Sequence, residues 1–199
     1  FRKYFPGITP EQAGKLDQLR GIYERWNASI NVISRKDIEN FNLHHVLHSL
    51  AIARVFTFKP GTTVIDVGTG GGFPGIPLAI MFPGVSFTLL DSIEKKIRVV
   101  TAVASEMGLK NVTTVRKRVE EENGKYDFVV SRAVTAFDDF VKLTRKNLRP
   151  GEGNGIICLK GGDLSDELKK YSTRVQIWDI SEFYEEPFFE TKKIVYLQA

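Results

Sequence analysis

Two different periodicities divide this chain near residue 60. Before it, apolar residues recur at helical spacing: Leu16, Leu19, Ile22, Tyr23 and Trp26 predict an amphipathic helix over residues 10–28. Thr9-Pro10-Glu11-Gln12 reads as its capping box, with proline at the first helical position. Residues 27–34 are rich in polar turn formers. A short helix is expected over 36–41, and a longer one over 43–56 carries Val46, Leu47, Leu50, Ile52 and Ala53 as its apolar stripe. Lys59-Pro60-Gly61 then marks a turn. The expected organisation is a helical extension over 1–60 and a second unit over 61–199.

In the second unit β-branched runs alternate with helical patterns. Strands are expected at 63–67, 86–90, 111–115, 127–131 and 155–160, with helices at 74–82, 94–107, 137–148 and 164–171. Alternation of this kind predicts a parallel sheet covered on both faces. Two further strands, at 174–183 and 192–197, follow each other without a helix and should pair antiparallel. The predicted fold class is α/β: a Rossmann-like, mostly parallel sheet of seven strands.

Composition narrows this little. A chain of 199 residues with 42% hydrophobic content can fill a real core and suits one domain plus an extension. The single cysteine, Cys158, lies in the apolar run Ile156-Ile157-Cys158-Leu159 and reads as a small buried hydrophobe. No apolar run reaches membrane-spanning length and no signal peptide is visible. A cytoplasmic protein without membrane contact is therefore expected, with a monomer as the default although the sequence does not fix oligomeric state. The start at Phe1 rather than methionine points to a few further N-terminal residues. Charge is more informative. The net +4 comes entirely from residues 1–60, which hold nine Lys/Arg against five Asp/Glu, and all three histidines fall there too. A basic segment on a neutral body suits an anionic partner such as nucleic acid. A solvated surface would carry the same charge.

The stretch Val64-Ile65-Asp66-Val67-Gly68-Thr69-Gly70-Gly71-Gly72-Phe73-Pro74-Gly75 is the chemical centre of the sequence. It reads as buried strand, glycine turn and helix start. Four glycines in five positions exceed what a tight turn needs, so a ligand is expected to approach the bare backbone there. Read at Gly70, Gly72 and Gly75, the pattern is the dinucleotide fingerprint GxGxxG. Read as Asp66 followed by Gly68, Gly70 and Gly72, it resembles the first motif of class I S-adenosylmethionine-dependent methyltransferases.

Other candidates sit at predicted strand ends, where open α/β sheets bind ligands. Asp91 can accept both ribose hydroxyls of a nucleoside; capping of the next helix by Asp91 or Ser92 is the competing reading. Val119 and Glu120 follow the third strand, where methyltransferases flank adenine; a charged surface loop is the competing reading. Arg132 ends the fourth strand and Lys160 the fifth. An arginine fork can bind a guanine edge or a phosphate, and either cation could instead pair with a nearby acid. Arg35 and Lys36 are further candidates for RNA contact. Lys142, Arg145, Lys146 and Arg149 share a helix face. His44, His45 and His48 lie on one helix without a clustered partner, so no metal site is read.

Taken together these residues resemble the 16S ribosomal RNA (guanine-N7) methyltransferase G family, also called glucose-inhibited division protein B. The likeness spans Trp26-Asn27 with Asn31, His45, Ser49-Leu50, the run from Asp66 to Ile80, Leu89-Leu90-Asp91-Ser92 with Lys95 and Arg98, Val119-Glu120, Ser131-Arg132-Ala133, and Leu159-Lys160-Gly161. His48 departs from it, standing where the family usually carries aspartate. The resemblance implies a class I fold and methyl transfer from S-adenosylmethionine to N7 of a guanine in the 530 loop of 16S rRNA, as naked RNA or in the 30S subunit. It also implies that Gly68, Phe73, Val119, Glu120 and Arg132 belong to the cofactor site, with Arg132 also facing the RNA. Guanine N7 carries a lone pair and no proton, so no general base is expected and Arg132 would act by positioning.

Three alternatives compete. A small-molecule methyltransferase would want a closed apolar pocket and an aromatic lid, whereas this extension is basic. An NAD dehydrogenase lacks the terminal hairpin and needs a catalytic His–Asp or Tyr–Lys set. A non-catalytic S-adenosylmethionine or RNA-binding regulator would keep the pocket without the transfer.

Overall fold

The computed structural model describes residues 1–30, 32–34, 37–132 and 135–199. Its centre is a seven-stranded sheet in the order β3-β2-β1-β4-β5-β7-β6. The strands are β1 Thr63–Val67, β2 Ser86–Asp91, β3 Val112–Arg116, β4 Phe128–Arg132, β5 Gly155–Gly161, β6 Val175–Asp179 and β7 Lys192–Gln198. The first five are mutually parallel, as the alternating pattern predicts. β7 inserts between β5 and β6 and runs antiparallel to both. β6 is shorter than the expected 174–183, because residues Ile180–Glu182 curl into a single 3-10 turn.

Helix α1, Pro10–Asn27, has the expected capping box: Thr9 and Gln12 exchange side-chain-to-backbone hydrogen bonds. The expected helix at 36–41 is not formed at Asp37–Asn40, which are turns, and Arg35 and Lys36 lie outside the described residues. The helix expected at 43–56 is made of a π-helical stretch, Asn42–Leu47, continuing into α2, His48–Leu50, and α3, Ile52–Val55. After β1 come α4, Gly75–Met81, and α5, Glu94–Glu106; after β4, α6, Phe137–Thr144; after β5, α7, Ser165–Leu168.

The two faces of the sheet have separate cores. Ile65, Val67, Val129, Ile156 and Cys158 face Phe137, Phe140, Leu168 and Tyr171. On the other face Leu16, Leu19 and Tyr23 of α1 join Phe41, Leu50, Ile76, Val100 and Leu159 in one continuous cluster. Full burial of each large side chain there stabilises by roughly 1.5–3 kcal/mol. The N-terminal helices thus share one face of the sheet with α4 and α5.

Candidate active site

Strand order reverses at β1, with β2 on one side and β4 on the other. Such a switch point opens a crevice at the carboxyl ends of the strands. Ser131 on β4 donates to the Val67 carbonyl at 3.0 Å and ties the two strands together at this end.

Asp66 builds the glycine turn from beneath. Its carboxylate is fully buried. One oxygen accepts from the Thr69 hydroxyl at 2.7 Å and from the Gly75 amide at 2.8 Å, so a single side chain fixes the end of β1 and the start of α4. Burial pushes its pKa up to about 6, against the pull of those two hydrogen bonds and of Arg132. Gly68 and Gly70 take positive φ, of 69° and 58°. Gly75 leaves no room for a side chain, since a Cβ there would lie 2.0 Å from Leu89 Cδ2.

A cleft of about 540 Å³ opens above this turn. Of the residues expected at a cofactor site, Gly68, Gly70, Asp91, Val119, Glu120 and Arg132 line it. Asp91 is nearly buried at the end of β2 and accepts from the Gly70 amide at 3.0 Å and the Ile93 amide at 2.9 Å. It therefore braces the turn and the α5 entry together, and an ionised carboxylate keeps further lone pairs for a ligand. Val119 and Glu120 belong to a 3-10 turn that forms another wall. Gly72 and Phe73 stand behind the cleft rather than in it. A Cβ on Gly72 would meet Ile76 and the Tyr23 hydroxyl. Phe73 is buried among Tyr23, Phe41 and His45, and the Arg132 guanidinium sits 5.3 Å from its ring centroid.

Arg132 and Thr135 also line a second, more open pocket of about 530 Å³ with Asp37, His44, His45, His48, Lys160, Glu167, Phe188 and Lys192. Arg132 donates to the His44 carbonyl at 3.0 Å and contacts His45 Nδ1 at 2.9 Å. His44 hydrogen-bonds Asp37 at 2.6 Å and stacks on Phe188 with ring centroids 4.0 Å apart. Burial, with Arg132 next in effect, lowers the His45 pKa to about 4, and lowers that of His48 well below the usual range. Both rings are neutral at physiological pH. Asp37 stays ionised because its bond to His44 lowers its pKa.

Lys160 is engaged within the fold. Its ammonium donates at 2.7 Å to Glu167 and at 2.7 Å to the Thr135 carbonyl, joining β5 to the segment before α6. The basic helix face is partly neutralised as well: Lys142 pairs with Asp138, and Arg149 with Asp127. Arg35 and Lys36, the expected RNA contacts, lie outside the described residues. Among the described residues no group of histidine, cysteine and acid is arranged to hold a metal. No described helix is long and apolar enough to cross a membrane.

Sequence reading missed Asp37, Thr135, Glu167 and Phe188. Each is an unremarkable residue in a loop or short helix, and only tertiary folding carries it to the pocket.

The sheet order, the glycine-floored cleft and an acid at the end of β2 define a class I S-adenosylmethionine-dependent methyltransferase fold. Solved structures agree. A SAM-dependent methyltransferase from Aquifex aeolicus superposes with a TM-score of 0.60 at 16% identity, covering 84% of this chain and 100% of that one. A SAM-dependent O-methyltransferase from Thermotoga maritima gives 0.62 at 16% identity, over 82% and 70%. The profile of the family described as rRNA small subunit methyltransferase G matches residues 12–193. The ribosomal RNA small subunit methyltransferase G of Bacteroides thetaiotaomicron is 56% identical over 98% of this chain and 97% of its own length. That of Christiangramia forsetii is 54% identical over 98% and 94%. The chain belongs to the rRNA small subunit methyltransferase G family.

Proposed function

We propose that this protein transfers a methyl group from S-adenosylmethionine to N7 of a guanine in the 530 loop of 16S rRNA. The observation that carries the reading is the position of Arg132, which lines both the glycine-floored cleft and the neighbouring open pocket. Two ligands seated in these spaces would meet at its guanidinium.

The residues of the first cleft fit the methyl donor. Positive-φ glycines with no Cβ allow close backbone approach, Asp91 offers acceptor lone pairs for ribose hydroxyls, and Val119 provides an apolar wall. When bound, S-adenosylmethionine supplies an electrophilic methyl on a sulfonium. The open pocket suits a splayed nucleotide, with the Phe188–His44 stack as a platform and Lys192 near its rim. The basic character of the extension, where the whole net charge resides, supports a polyanionic partner.

N7 needs no deprotonation, so the protein's task is alignment and electrostatics. Holding nucleophile and methyl in line supplies roughly 7–11 kcal/mol of the barrier. Arg132 is held by His44 and His45 from one side and by Phe73 from another, so its orientation is set before any ligand arrives.

The test is mass spectrometry of 16S rRNA fragments after incubation of 30S subunits with enzyme and isotopically labelled donor. A labelled methyl on a 530-loop guanine, with strand scission after reduction and aniline treatment, is expected. Label at another site or none would reject the reading. Competitive binding of S-adenosylhomocysteine and NADH separates the dehydrogenase alternative, since only the former should bind.

A further inference from the structure

Asp37 has no role in the mechanism above, yet it stands at the head of a chain of polar groups that ends on Arg132. A guanidinium has donors only, so the 2.9 Å contact from Arg132 requires a bare lone pair on His45 Nδ1. In the neutral ring the proton must then sit on Nε2. That atom is buried and has no hydrogen-bond partner among the described residues. Its charged neighbour is Asp37, whose Oδ2 lies 3.4 Å away, while Oδ1 takes the bond from His44. Asp37 is itself anchored, its amide bonded to the Ser34 carbonyl at 3.0 Å and to the Ser34 hydroxyl at 3.2 Å. The carboxylate favours a proton on the facing nitrogen, and this leaves the opposite nitrogen free to receive Arg132.

We propose that Asp37 is a positioning residue for Arg132, acting through the Nε2–H tautomer of His45 and, by its bond to His44, through the backbone carbonyl that takes the second Arg132 donor. The assignment rests on the methyl-transfer reading, in which Arg132 stands between donor and acceptor. It makes the N-terminal extension part of the active site: the segment before the π-helical stretch sets the direction of a side chain on β4.

Two measurements test it. In 15N NMR of the free protein at neutral pH, His45 should show a protonated Nε2 and a bare Nδ1, and the Arg132 guanidinium should give resolved, slowly exchanging signals. Asp37→Ala should average the Arg132 signals. A His45 ring protonated at Nδ1, or Arg132 signals unmoved by Asp37→Ala, would overturn the proposal. The second measurement is a double-mutant cycle on methyl transfer to 30S subunits. Asp37→Ala should lower kcat about tenfold, Asp37→Glu should recover part of this, and in an Arg132→Ala background Asp37→Ala should add less than about twofold. Losses that multiply independently would mean Asp37 serves the fold rather than Arg132. Thermal melts of each variant identify any that fail to fold, and the wild-type tautomer measurement needs no variant. Should the wild type transfer no methyl at all, the reading of function fails, while the NMR result still decides the link between Asp37 and Arg132.

Discussion

Tyr23 on α1 donates its phenol to the carbonyl of Gly71, inside the glycine turn. One hydrogen bond thereby couples the N-terminal helix to the glycine turn that floors the cleft. The ring is fully buried against Phe41 and Phe73, and burial raises the phenol's pKa far above its usual value. Tyr23→Phe keeps the packing but leaves the Gly71 carbonyl unpaired. It should cost about 1–3 kcal/mol in urea denaturation. It should also weaken S-adenosylhomocysteine binding, read by calorimetry, because the turn loses its brace.

Gly14 and Gly75 should respond in opposite directions to the same substitution. Gly14 is inside α1 with open space within 4 Å of where a methyl would sit, so Gly14→Ala should stabilise by about 0.5–1 kcal/mol. At Gly75 a methyl would lie 2.0 Å from Leu89 Cδ2 and 2.9 Å from Asp66 Oδ2. Overpacking of this kind costs about 1–3 kcal/mol or more, and here it also pushes on the acid that holds the turn. Equilibrium unfolding of the two variants beside the wild type provides the check.

Asp91→Asn should separate bracing from ligand contact. The amide retains one oxygen for a backbone N–H but loses lone pairs and charge. Unfolding free energy should fall by about 1 kcal/mol. Affinity for S-adenosylhomocysteine should fall by about tenfold or more, corresponding to loss of roughly 1.5–3 kcal/mol from hydrogen bonds to a charged group. Calorimetric affinity equal to wild type would remove Asp91 from the ribose site.

Stability should depend on acid through opposing groups. The Asp66 carboxyl is raised to about 6 in the folded protein from 3.8. Its contribution is fully present below about pH 4 and is lost as pH rises through 6, by roughly 3 kcal/mol. His45 is lowered to about 4 from 6.5, and His48 is lowered further. Their contribution is present above about pH 6.5 and is lost as pH falls toward 4. Asp66→Asn should therefore steepen the loss of stability between pH 7 and pH 5, and His48→Leu should make it shallower. Urea titrations at the two pH values measure both slopes.

The elements with strong local punctuation were readable from sequence. β1 ends where the glycines begin, and its bounds match the expectation of 63–67. The capping box at Thr9 placed α1 to within a residue. What failed was local pattern without tertiary knowledge. Residues 180–183, expected to continue β6, instead turn to bury Ile180 and Tyr184. Residues 37–40, expected within a short helix, instead form the turns that aim Asp37 at the histidines. Gly68, Gly70, Asp91 and Arg132 could be identified because strand ends and glycines mark a cleft in any doubly wound sheet. The Lys160–Glu167 pair could not, since nothing in the spacing of those residues shows which acid a cation will meet.

Because His45 and His48 are uncharged, the Arg132 guanidinium they face is a fixed cation of that pocket, shared with the neighbouring cleft. On the proposed reading a purine offers it lone pairs before transfer. Afterwards an N7-methylated purine bears a positive charge of its own, and the spent donor has become neutral. On the proposed reading, the positive charge that faces Arg132 from the donor before transfer faces it from the base afterwards, which favours release of the modified base.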